Sequence, residues 1–266
     1  LTGNTTGTAG TKASNTGNAM ANAVFATATS GDGSITYYES TGLTIDKVSA
    51  TGALTSPASK ASNSVTATSG ITTVAGGTNG ALVIAAGNTS GAGLTVTQAI
   101  NTASGTATVA GGAVLLEADG SIAITNNGTT QLGSITTTGN TSGKGGEVFI
   151  HHTNVVVGKD ITLTGNSAGT VISAKGGATG DGGVVTLLND AGNLVVNGGI
   201  DVSGPSLTDG TIQLQANGAI TGKGNLVGDT TGTLMARTTG TSGTQNISLT
   251  GNTTGTAGTK ASNTGN

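Results

Sequence analysis

Residues 145–165 read GGEVFIHHTNVVVGKDITLTG, and residues 182–204 read GGVVTLLNDAGNLVVNGGIDVSG. Each stretch opens on a glycine pair and runs through a short apolar alternation. A polar turn follows, then a second alternation that ends in Thr-Gly or Ser-Gly. Residues 111–125 (GGAVLLEADGSIAIT) and 210–222 (GTIQLQANGAITG) repeat the form. Alternation over four to six residues is the pattern of a strand with one buried face. No segment sustains a helical period. Glycine interrupts every window long enough for a helix, at a cost of about 1 kcal/mol per interior glycine. The chain is therefore predicted to be all-β, built from many short strands separated by Gly, Asn, Ser and Thr turns.

Two all-β architectures fit that pattern, an antiparallel sandwich or barrel and a parallel β-solenoid. The very short strands and their polar breaks of one to three residues suit a chain that turns corners rather than reversing. The inward candidates are Val114, Leu116, Val148, Ile150, Val184, Leu187, Ile212 and Leu214, all small or medium aliphatics that suit a narrow coil. Repeated coils also cover one another's open sheet edges. The expectation is a β-solenoid. At roughly 19–25 residues per rung, a unit of 248 residues would hold about 10–13 rungs and extend about 50–60 Å at the strand spacing of a sheet.

Composition points the same way. Among 266 residues there are 49 Gly, 2 Tyr, 2 Phe, no Trp and no Cys, and charged residues make up 8%. Disordered chains are usually charged and poor in β-branched residues, the reverse of this one. The glycines lack a period of three and Pro is scarce, which excludes collagen. No run approaches the roughly 18–20 apolar residues of a membrane helix. A net charge of −3, spread thinly, offers no basic patch for nucleic acid. Without Cys there is neither a disulfide framework nor a thiolate metal site.

A longer repeat encloses the short one. Residues 1–18 and residues 249–266 both read LTGNTTGTAGTKASNTGN. Fixed-period identity is the signature of a repeat architecture. We read residues 1–248 as one unit and 249–266 as the start of the next in a tandem array. An artificially duplicated linker is the competing account. A chain opening at Leu1, with neither Met nor a signal peptide, reads as a segment of something longer.

Chemistry-bearing patterns are few. Glu147, His151 and His152 form the one cluster that raises a metal hypothesis. On a strand Glu147 and His151 share a face and His152 takes the other. Zinc needs three or four convergent ligands, so an exposed polar strand is the expectation. Acids such as Asp32, Glu39, Asp119, Asp160, Asp190 and Asp209 stand singly, mostly beside Gly or Asn, where turn chemistry explains them. Glycoside hydrolysis needs two carboxylates flanking a cleft. With one Arg (Arg237) and no aromatic platform, no catalytic residue, cofactor or metal is expected. Gly31-Asp32-Gly33 and Gly180-Asp181-Gly182-Gly183 do not recur in the register of calcium-binding rolls and read as ordinary turns. Thr106-Ala107-Thr108 and Thr162-Leu163-Thr164 offer Thr rows of the kind ice-binding solenoids use, but their irregular spacing reads as β-propensity on a solvated face. Gly-Asn-Thr/Ser recurs, as at Gly139-Asn140-Thr141 and Gly165-Asn166-Ser167, and reads as a corner with Asn in a left-handed position or in a side-chain ladder. N-x-S/T sequons make Asn4, Asn88, Asn127, Asn140, Asn246 and Asn252 candidate glycan acceptors.

The form of residues 111–221 resembles the repeats of filamentous haemagglutinin-like adhesins, very large secreted bacterial surface proteins. Residues 30–110 fit that form loosely, as in GDGSITYYESTGLTI and GGTNGALVIAAGN, and residues 1–29 fit it poorly. The resemblance implies a right-handed parallel β-helix in an extracellular fibre that projects from a cell surface. The expected function is the stalk of such an adhesin, or a surface filament. A self-assembling sheath of separate chains and a carbohydrate-active β-helix enzyme are the alternatives. The expected partners are identical units stacked end to end, other fibres or cell surfaces. Neither nucleic acid nor a membrane span is expected.

Overall fold

A computed structural model describes residues 93–251, apart from 154–157, 167–168, 206–209, 229–230 and 242–244, together with the strand segments outside that span named below. Every regular element among the described residues is a β-strand. Three parallel sheets hold eight strands each. Sheet A contains β3 (Ile35–Glu39), β10 (Leu82–Ala86), β13 (Val114–Ala118), β16 (Glu147–His152), β19 (Val184–Asn189), β22 (Thr211–Ala216), β25 (Thr233–Thr238) and β28 (Ser262–Asn263). Sheet B contains β1 (Asn22–Ala23), β4 (Leu43–Ile45), β11 (Leu94–Val96), β14 (Ile122–Thr125), β17 (Ile161–Thr164), β20 (Leu194–Val196), β23 (Ile220–Gly222) and β26 (Ile247–Leu249). Sheet C contains β2 (Phe25–Ala26), β9 (Ile71–Thr72), β12 (Ala99–Asn101), β15 (Ser134–Thr136), β18 (Thr170–Ser173), β21 (Gly199–Asp201), β24 (Leu226–Val227) and β27 (Thr253–Thr254).

The chain visits the sheets in cyclic order, A then B then C, and strands from successive visits pair side by side. Like residues therefore stack. In sheet A, Leu116, Ile150, Leu187 and Leu214 occupy one line. In sheet B, Leu43, Leu94, Ile122, Ile161, Leu194 and Ile220 do so. In sheet C, Ile100, Ile135, Ile172, Ile200 and Leu226 do so. The inward faces of the three sheets meet in a single core cluster whose apolar members among the described residues are Val, Leu, Ile and Ala. Each fully buried Leu or Ile contributes about 1.5–3 kcal/mol relative to exposure. Among the described residues no Phe, Tyr or Trp is buried in this core.

Most inward candidates are buried as expected, but Val184 is not. It is half-buried on the outer side, and Val185 takes the inward place. The period of two decides it, because Leu187 is inward and only odd positions of β19 share its face.

The expectation of 10–13 rungs also needs correction. Eight strands stand in each sheet among the described residues. One turn of the chain carries Ile35 round to its sheet A partner Leu82, whereas a later and much shorter one carries Ile212 to Leu234. The difference lies in the corners, which are longer than the expected breaks of one to three residues. Between β4 and β9 the chain even reverses. There β5 (Lys47–Val48) pairs antiparallel with β8 (Thr68–Ser69), and β6 (Gly52–Thr55) pairs antiparallel with β7 (Ser62–Val65).

Long corners are tolerated because they bond to one another. In the loops that lead into β16 and β19, Gly139 N donates to Lys175 O, Gly177 N to Gly143 O and Thr179 N to Thr141 O, at 2.8–2.9 Å. The turn from sheet C back to sheet A recurs in the same way. Gly112, Gly146 and Gly183 donate to the carbonyls of Thr102, Thr137 and Ala174 respectively at 2.7 Å, and Gly210 donates to Val202 at 3.1 Å.

Candidate functional site

The outer face of sheet A carries the most varied chemistry. Register places Glu117, His151, Leu188, Gln215 and Arg237 in one line, and Leu115, Phe149, Thr186, Gln213 and Met235 in the next. A shallow groove runs over these lines, bordered by Phe149, Leu188, Gln213, Gln215, Met235 and Arg237. Met235 is 42% exposed there. Among the described residues no carboxylate borders the groove.

At its margin His151 sits between two acids from neighbouring visits. Its Nε2 lies 2.8 Å from Asp190 Oδ2 and its Nδ1 3.6 Å from Glu117 Oε1. An ionised carboxylate only accepts, so Nε2 carries the proton that bonds Asp190. Phe149 meets the imidazole edge-on, with ring centroids 5.6 Å apart. The two carboxylates engage different nitrogens of one ring, so they share no common point for an ion. Among the described residues no three His, Asp or Glu side chains are grouped to hold a metal. The cluster also differs from the sequence grouping. Glu147 is exposed at the far end of β16, and the acids beside His151 come from β13 and from the turn after β19.

His152 departs from the expected exposed strand. It is fully buried, its Nε2 donates to the Asp119 carbonyl at 3.0 Å, and its Nδ1 has no partner among the described residues. The alternation of Val148 and Ile150 already points residue 152 inward. The same line brings in Asn189, which the sequence reading did not single out. Asn189 is 1% exposed, and its amide is fully engaged. Its Nδ2 donates to Lys159 O at 2.9 Å and Asn193 O at 3.0 Å, and its Oδ1 accepts from Ala191 N at 3.1 Å and Gly192 N at 2.6 Å. The signal was the parity of β19, which puts residue 189 on the face of Val185 and Leu187.

The single acids act as corner clamps. Asp160 Oδ1 accepts from Asn193 N at 2.9 Å, Asp201 Oδ1 from Ser203 N at 3.0 Å, and Asp119 Oδ1 from Thr153 Oγ1 at 2.6 Å. Lys175 Nζ stands 3.5 Å from Asp201 Oδ2. Asp32 and Asp209 lie outside the described residues, as does the Gly31–Gly33 turn.

Two expectations about turns are corrected. Thr106–Thr108 is a turn, with Thr108 at φ 71°, so it supplies no Thr row. Thr162 and Thr164 do face outward on β17, yet the line through Thr162 runs Thr95, Ala123, Thr162, Val195, Thr221. In the Gly139-Asn140-Thr141 corner the left-handed residue is Thr141, at φ 47°, rather than Asn140. Asn140 instead heads the turn, its carbonyl accepting from Gly143 N at 2.6 Å, as Asn166 O accepts from Gly169 N at 2.8 Å.

Three of the six candidate glycan acceptors are described. Asn246 is exposed at the entry to β26, and Asn140 is half-buried in its corner. Asn127 is exposed but occupied. Its Oδ1 accepts from Thr129 N, Thr130 N and Gln131 N at 2.9–3.0 Å, and its Nδ2 donates to Thr130 Oγ1 at 3.1 Å. Asn4, Asn88 and Asn252 lie outside the described residues.

No protein-family model, curated protein or solved structure matches the chain. No helix of the described residues is long and apolar enough to cross a membrane.

Proposed function

We propose that the chain is a structural unit of a very long extracellular fibre, folded as a right-handed parallel β-solenoid, that serves as the stalk of a surface adhesin or as a surface filament. The observation that carries this reading is the cyclic visiting of three parallel sheets around one aliphatic core. Such a ladder satisfies backbone groups from rung to rung with little core volume, so the cross-section stays thin while length grows. The identity of 1–18 with 249–266 supports a tandem array of units, 1–248 and then 249 onward. The outer face supports the same reading, since among the described residues His151 is engaged by Glu117 and Asp190, Asp160 clamps the corner of the following turn at Asn193, and Asp201 clamps its own at Ser203. The unit works by extending reach, with no catalytic residue of its own.

Electron microscopy of the native material tests this. The expected result is a thin unbranched fibre whose transform carries an axial spacing of about 4.8 Å. Compact particles without that spacing would refute it. Turnover of a polysaccharide by the purified chain would overturn the purely structural role.

A further inference from the structure

We infer that the repeat, 1–248, is a whole number of turns, eight, so that each copy hands its three sheets to the next copy in phase. The inference rests on the fibre reading and names the partner at the open ends, which is the following copy of this chain.

The two ends of the structure are complementary in phase. At one end β1, β2 and β3 are the last strands of sheets B, C and A, and at the other end β26, β27 and β28 are the last strands of B, C and A. The final described strand, β28, lies in sheet A and pairs with β25. The sheet due next is B, and then C. The first two strands among the described residues are β1 in sheet B and β2 in sheet C, and β3 follows in sheet A. Among the described strands the order A, B, C thus passes from one copy to the next without a break.

The register allows it. Because 249–266 repeats 1–18, the next copy continues the count, and its positions 22, 25 and 36 become 270, 273 and 284. In sheet B, Thr221 pairs with Ser248, and Asn22 pairs with Thr44, which lies in the same line. Ser248 would therefore meet Asn22 of the next copy, a step from 248 to 270. In sheet A, Ser262 stands in the line of Thr36, so the matching step runs from 262 to 284. Both steps equal the one that the chain already takes from Ile212 to Leu234. In sheet C, Thr253 would meet Phe25 of the next copy, a slightly shorter step from 253 to 273. The junction therefore needs no linker, and β26, β27 and β28 gain the partners that exposed sheet edges otherwise seek. Eight turns at about 4.8 Å give an axial advance of about 38 Å per copy, in place of the roughly 50–60 Å expected from shorter rungs.

The test compares the 266-residue chain with a version in which 1–248 is duplicated ahead of it. Cryo-electron microscopy or solution scattering should show one continuous rod lengthened by about 38 Å, with the strand spacing of about 4.8 Å kept across the joint. The chain has no Cys of its own. Ser248→Cys in the first copy with Asn22→Cys in the second should therefore oxidise to a bridge, since neighbouring strands bring Cα atoms within disulfide range. The same pair in the single chain sits at opposite ends of sheet B and should stay open. Two rods that keep the strand spacing but meet at a hinge, with the cysteine pair unbridged, would overturn the in-phase junction and leave the coil intact. Loss of the strand spacing in both versions would overturn the fibre reading itself.

Discussion

Gly183→Ala should destabilise the chain by about 3–5 kcal/mol, although it adds one methyl group to a residue with no left-handed φ. A Cβ at Gly183 would overlap the Gly146 carbonyl oxygen and approach Gly145 C at 2.8 Å and Ala174 O at 2.9 Å. All three are backbone atoms of neighbouring strands and turns, so none can rotate away. Relief requires the two turns to part, which pulls on Val184 N→Gly146 O at 3.3 Å and Gly183 N→Ala174 O at 2.7 Å. Overpacking costs about 1–3 kcal/mol, and the net worth of the two hydrogen bonds lost adds about 1 kcal/mol each. Two controls separate space from conformation. Gly105 has nothing within 4 Å and a φ outside the left-handed region, so Gly105→Ala should be neutral or stabilising by up to about 1 kcal/mol. Gly158 also has open space but a φ of 83°, so Gly158→Ala should cost about 1–2 kcal/mol. Urea unfolding followed by far-UV circular dichroism gives the stabilities, and amide exchange at Val184 and Thr211 locates the damage. If Gly183→Ala falls within about 0.5 kcal/mol of Gly105→Ala, the close approach of turns is not what selects glycine there.

Leu187→Ala should cost about 2–5 kcal/mol in the same unfolding assay, whereas Leu188→Ala, one residue on but facing the outer groove, should cost less than about 1 kcal/mol. Asn189→Ala strips the side-chain bonds from a buried corner and should cost about 2–4 kcal/mol, with faster amide exchange at Ala191 and Gly192 as its local signature. In glycopeptide mass spectrometry of native material we expect Asn246 to be modified in preference to Asn127, whose amide is committed to its own loop. A glycan at Asn127 with none at Asn246 would contradict that reasoning.

Strand content and facing were legible because alternation is a local signal. Val148, Ile150 and Leu214 could be assigned inward from parity alone, and parity also held the correct answers for Val185, His152 and Asn189. Val184 misled because two valines follow the glycine pair, and only the downstream Leu187 fixes which one points in. The number of turns was not legible. Polar corner residues carry no period, and whether Gly139–Gly145 is a brief bend or a loop depends on bonds to Lys175 and Gly177 in the following turn. The antiparallel excursion between β4 and β9 was hidden for the same reason. In the candidate site, the grouping of Glu117, His151 and Asp190 comes from three different turns, and only the register brings them together.

The rung-to-rung bonds bear on how such a fibre takes tension. In the fibre proposed above they would run along its axis, so a pull on the ends would load the three ladders together. If a turn does let go, it releases all the chain between two visits to sheet A, as little as 212–234 or as much as 35–82. At about 3.4 Å per extended residue that is about 75–160 Å of slack from a step that had occupied about 4.8 Å. The long corners, and above all the excursion between β4 and β9, would then be stored length. A tether made this way would lengthen under a sudden tug before any covalent bond in it was strained.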